Sequence, residues 1–107
     1  MLETFLVLAI LAIARQYDVS EQYMECIIYH ESAGDPAAVG DEGEAIGLLQ
    51  WHEDSWRFVR EKMGEDPSPE LRWNPIESAK TAAYAMRQLG LWHWWSTHDM
   101  CKQFLEP

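Results

Sequence analysis

In HESAGDPAAVGDEGEAIGLLQW, residues 30–51, one carboxylate stands where an apolar helical run should end, and a loop rich in glycine and acid follows it. Ile27, Ile28 and Tyr29 precede Glu31 and would take water from one side of its carboxyl group. Desolvation disfavours the charged form, so such a glutamate keeps its proton toward neutral pH and can hand it to a leaving oxygen. An acetal oxygen needs that help: it departs only when protonated, and positive charge then develops on the sugar carbon. Gly34, Gly40, Gly43 and Gly47 would let a chain-like substrate run close to the backbone amides. Ser32 and Gln50 could supply hydrogen bonds, although Gln50 is equally suited to bonding the backbone of its own loop. Asp41, Glu42 and Glu44 form an acidic run of the kind that usually faces solvent, yet Asp41 is also a candidate second carboxylate. Neither a Ser-His-Asp order nor a metal-type cluster is present, which disfavours nucleophilic chemistry and leaves no cofactor or metal expected.

The elements that must position these groups read as helices. Phe5, Leu8, Ala9, Ala12 and Ile13 keep helical spacing, and Glu3 stands where an export signal would carry basic residues. The run is too short to cross a bilayer and reads as a core helix. Ser20 caps a second helix that carries Met24, Ile27 and Ile28 inward and delivers Glu31 at its end. A loop from about Ala33 to Ala45 leads into the apolar run Ile46 to Trp51. A third helix then starts at Glu53-Asp54-Ser55, runs through Trp56, Phe58, Val59 and Met63, and stops at Gly64. Beyond the linker EDPSPELRWNP, Asn74-Pro75 opens another helix with the stripe Ile76, Ala79, Ala83, Met86 and Leu89. LWHWWS then crowds Trp92, Trp94 and Trp95 together, against the core and the rim of a cleft.

At 107 residues, 48% of them hydrophobic, the chain can fill one core but not two, so residues 1–107 are expected to form a single domain. Eighteen acidic against 8 basic residues give a net charge of -10, which would repel nucleic acid. Cys26 and Cys101 have no metal-type spacing; a disulfide and two buried free thiols are both open.

The pattern Glu31-Ser32, Asp35-Pro36, Ala38-Val39, Gly43 and Gly47-Leu48-Leu49-Gln50 resembles the soluble lytic transglycosylase and goose-type lysozyme superfamily. GDEGEAIGLLQ is similar to the goose-type version, in which an aspartate occupies the position of Asp41 and an acid follows the glutamine; here Trp51-His52 follows it. Trp56, the helix SAKTAAYAM and the stretch from Trp92 to Cys101 resemble the catalytic domain of resuscitation-promoting factors. There the terminal cysteine bonds one beside the catalytic glutamate, whereas Cys26 lies further upstream of Glu31.

The resemblance implies a mainly α, lysozyme-like domain whose glycine-rich loop, in places a minimal irregular β-hairpin, lines a substrate cleft. It implies cleavage of the β-1,4 bond between N-acetylmuramic acid and N-acetylglucosamine in peptidoglycan, by lytic transglycosylation or by hydrolysis. Glu31 would be the general acid. Asp41 would position a water if the two carboxyls stand roughly 6.5–9.5 Å apart. Ser32, Gly47, Leu48, Gln50 and Trp51 would contact the glycan. His52 would meet an N-acetyl or carboxylate group, and Tyr84 matches a tyrosine of the family's alanine-rich helix. The partner expected is a peptidoglycan strand, met by a monomer that has no membrane span and acts outside the cytoplasm, by export or by phage delivery. The rival reading is a glycan-binding or structural module that kept the fold and lost turnover.

Overall fold

The structure is a computed structural model that describes residues 3–105. It is mainly helical. Five helices, α1 (Thr4–Gln16), α2 (Glu21–Ser32), α3 (Glu53–Met63), α4 (Pro75–Arg87) and the short α5 (His98–Cys101), account for most of the ordered backbone. A two-stranded antiparallel ribbon, β1 (Val39–Gly40) and β2 (Ala45–Ile46), pairs Val39 with Ile46 and Gly40 with Ala45. The glycine-rich loop therefore forms the minimal hairpin expected of it. Among the described residues no helix is long and apolar enough to cross a membrane.

The core is organised around α4. Asn74 caps it, its side chain accepting from the Ile76 and Glu77 amides, and Pro75 occupies the first turn, where its missing N–H is no loss. Ser78, Ala79, Thr81, Ala82, Ala83, Ala85 and Met86 are all buried, far more than one stripe. Their small side chains let α1 and α3 both pack closely on α4, while α1 also meets α2. α3 contributes Trp56, Val59 and Arg60. Buried Arg60 makes three hydrogen bonds: it donates to Glu77 at 2.8 Å, to Thr81 at 3.0 Å and to the Asp66 carbonyl at 2.8 Å. Its guanidinium also lies 5.0 Å from the centre of the Trp56 ring.

One expectation needs correction. In α1 the buried residues are Ile10 and Ala14, with Leu6, Ile13 and Tyr17 packed beside them, whereas Phe5 is 82% and Leu8 57% exposed. The helix is apolar on nearly every side, so spacing could not select its inward face; contact with α4 does. In α3, which runs through Trp56, Phe58, Val59 and Met63 as expected, Trp56 and Val59 face inward and Phe58 faces out at 46% exposure.

Candidate active site

Glu31 reaches its position through ordinary helix chemistry. Ser20 accepts from the Tyr23 amide at 3.2 Å and starts α2; Met24, Ile27 and Ile28 then go inward, which turns the last turn of the helix toward a cleft. Ala33, in the left-handed conformation at φ 53°, ends the helix, and its N–H bonds the Tyr29 carbonyl. Glu31 is half-buried at the mouth of a cleft of about 610 Å³, lined with it by Asp41, Gln50, His52, Ser55 and Trp94.

One wall of the cleft is the loop after α2. Asp35 accepts from the Ala37 amide at 2.9 Å, and the Gly47 amide bonds the Ala38 carbonyl at 2.8 Å. Gln50 turns back over the loop, its side-chain nitrogen donating to the carbonyls of Ala38 at 3.2 Å and Gly47 at 2.9 Å. Both amide protons are thereby used on the backbone, and among the described residues no side-chain or backbone donor bonds the Gln50 side-chain oxygen. Gly47 has φ +83°, and a Cβ there would collide with the Arg72 carbonyl. At Gly40 a Cβ would strike the Gln50 side-chain oxygen. Asp41, Glu42 and Gln50 also take positive φ, so strained backbone gathers at this wall, as it does at sites that must hold a set geometry.

The other wall comes from the chain's far end. A 3-10 turn, Trp92–Trp94, leads to Trp95, whose indole N–H donates to the Leu49 carbonyl at 3.0 Å. Trp95 also meets Trp51 edge-on at 5.3 Å between ring centres. Thr97 donates to the Glu31 carboxylate at 2.9 Å. Cys26 and Cys101 form a disulfide, which decides between the two states left open by the sequence and ties α2 to α5. Beside it, the Tyr23 hydroxyl and His98 Nδ1 lie 2.7 Å apart; burial pushes the tyrosine pKa up and the histidine pKa down. Cys26, His30 and Cys101 bring ligand-type atoms within 4.8 Å of one another, but the two sulfurs are bonded to each other and are not thiolates.

Burial pushes the Glu31 carboxyl above its ordinary pKa, the negative charge of Asp41 adds to the rise, and the Thr97 hydroxyl and His30 oppose it. Asp41 itself is exposed and accepts from or pairs with His52 Nε2 at 2.8 Å. The cleft thus holds an acid that resists ionisation and, among the same lining residues, a carboxylate–imidazole pair.

Of the residues singled out in the sequence, Glu31, Asp41, Gln50, Trp51 and His52 line the cleft. Trp51 is almost wholly buried and donates to the Ser78 carbonyl, so most of its ring belongs to the core. Gly47 shapes the loop from behind. Leu48 and Leu49 are both fully buried, and of the two Leu49 backs the cleft. Ser32 bonds back to the Ile28 carbonyl at 3.2 Å and is not among the lining residues. Tyr84 lies elsewhere on α4, edge-on to Tyr17 and donating to the Lys62 carbonyl at 3.3 Å. Sequence reasoning missed Thr97, Ser55 and Ser96, which carry no local signal. It also missed Arg72, which donates to the Trp51 carbonyl at 3.2 Å and clamps the loop from the linker.

Neither a curated protein nor a solved structure matches the chain significantly. The sequence model of one family, described as Transglycosylase SLT domain, matches residues 9–91. That stretch includes α2 with Glu31, the whole loop wall and α4. The chain belongs to the transglycosylase SLT domain family and is, at that level, a peptidoglycan glycosidase of the lytic transglycosylase type.

Proposed function

We propose that the protein cleaves the β-1,4 bond between N-acetylmuramic acid and N-acetylglucosamine, with Glu31 as the general acid. The observation that carries this reading is a half-buried carboxyl, raised in pKa and held by Thr97, opening on a cleft of about 610 Å³. Glu31 gives its proton to the bridging oxygen as the bond to the muramic acid C1 breaks and its electron pair stays on that oxygen. The cationic C1 is then captured by the 6-hydroxyl oxygen of the same sugar. That hydroxyl's proton passes to the Glu31 carboxylate, which resets the acid and leaves an anhydro ring. Gln50 offers its side-chain oxygen to a sugar N–H or hydroxyl. The disulfide suits an oxidising setting, in keeping with action on the wall outside the cytoplasm.

A second reading is hydrolysis, favoured by the Asp41–His52 pair in the same cleft. Such a pair can hold a water and take its proton as the water oxygen attacks C1. Mass analysis of purified peptidoglycan digested by the protein separates the outcomes, since a hydrolytic product is heavier by one water. Binding without any released fragment would instead favour the module that kept the fold and lost turnover.

A further inference from the structure

On α3, Ser55, Phe58 and Lys62 recur at three- and four-residue spacing and share one outward stripe, away from buried Trp56, Val59 and Arg60. Ser55 lines the cleft. One turn further on, Phe58 is 46% exposed and packs against Trp94, itself 44% exposed and part of the cleft lining. Their ring centres are 5.9 Å apart with planes inclined at 49°. Two large aromatic rings therefore touch each other, stay open to water, and continue the cleft along the helix.

The Lys62 ammonium lies 5.4 Å from the centre of the Phe58 ring. Among the described residues no carboxylate lies within ion-pair distance of it, whereas Arg15, Arg57, Arg60 and Lys80 each have one. In a chain of net charge -10, that cation without an acidic partner stands at the end of the aromatic stripe.

We infer that Phe58 and Trp94 form an aromatic subsite that carries the glycan strand onward from the cleft along α3, with Lys62 meeting a carboxylate borne by the strand. The inference rests on the glycosidase reading above. A β-linked aminosugar presents an apolar C–H face that suits the electron-rich face of an aromatic ring, and its polar edge stays in water. Lys62 suits a carboxylate at the rim because a flexible ammonium needs no fixed geometry to attract one. Continuity with the cleft selects the same polymer as the occupant.

The test uses Glu31→Gln protein, which removes turnover, and calorimetric binding of N-acetylglucosamine oligomers of increasing length. Affinity is expected to rise with length, and Phe58→Ala to weaken the longest oligomers by about three- to tenfold. Phe58→Trp should restore that affinity, while Phe5→Ala, which removes an exposed ring on α1, should change nothing. For Lys62, peptidoglycan strands, which carry carboxylates, are compared with N-acetylglucosamine oligomers of matched length, which carry none; Lys62→Gln should weaken only the former. If long and short oligomers bind alike, or Phe58→Ala weakens every length equally or none, the subsite is overturned while the glycan reading stands. If no oligomer or strand binds at all, both fall. Equal loss on strands and oligomers, or loss on neither, removes the role given to Lys62.

Discussion

The cleft wall that runs from Glu31 to His52 is held mainly by bonds between near neighbours in the chain, with Arg72 as its distant clamp, whereas the facing wall, Trp94 to Thr97, is held by residues from far away. In the first, Asp35 caps Ala37, Gln50 bonds Ala38 and Gly47, and the short ribbon pairs residues only a few positions apart. In the second, Trp95 hangs on the Leu49 carbonyl, His98 on Tyr23, Cys101 on Cys26, and Thr97 on Glu31 itself. A locally bonded wall can form its geometry from its own sequence. A wall hung on distant partners is placed only when the rest of the molecule has folded, and it is the wall that damage elsewhere can move.

The largest effect expected lies where the walls meet. Glu31→Gln should lower fragment release from peptidoglycan by about 10²–10⁴-fold, read by turbidity and product mass, with the helical circular dichroism retained. The same change should raise the melting temperature slightly at neutral and alkaline pH. A carboxyl whose folded pKa is raised supports the fold while protonated and loses that support as pH climbs through the folded value. A melting temperature unchanged across pH would argue that Glu31 is not desolvated.

Next comes the anchor of the far wall. Cys26→Ser should lower stability by about 2–5 kcal/mol in denaturant titration, because the bridge closes a long loop. Proteolysis should then cut first in the stretch that follows Gly90. Cleavage first in the loop between Ala33 and Ala45 would reverse the ranking of the two walls.

On the near wall, Gly47→Ala should cost about 1–3 kcal/mol, since positive φ and the Arg72 carbonyl both resist a Cβ. Urea unfolding measures it, and a neutral result would mean that the loop is not pinned where Arg72 holds it.

The smallest effects test the electrostatics, through the pH profile of kcat/KM. The Thr97 hydroxyl favours the ionised glutamate, so Thr97→Val should raise the Glu31 pKa and carry activity to higher pH. The Asp41 charge acts the other way, so Asp41→Asn should pull the alkaline limb down. Shifts in the same direction for both variants would refute the assignment of Glu31 as the titrating acid.

Much of the near wall was legible in the sequence because its causes are local. Ser20, Asn74 and Gly64 mark helix ends through bonds made within one turn, and the order of Glu31, the glycines and Gln50 places an acid beside a tight loop. Trp92, Trp94 and Trp95 announced an aromatic cluster, but Trp94 stands open at the cleft while Trp95 backs it with its ring buried, a choice made by Leu49 and Trp51 rather than by spacing. α1 misled for a related reason: where nearly every side is apolar, periodicity has no contrast from which to read a face.

What the sequence alone determined is therefore the helical class, the position of the acid at a helix end and the glycine-bearing loop after it. Each follows from side chains and caps acting over a few residues. Only the tertiary structure decided that Thr97 holds the acid, that Arg72 clamps the loop and that Cys26 and Cys101 are joined. Those depend on groups far apart in the chain, whose meeting is set by how the helices pack around α4.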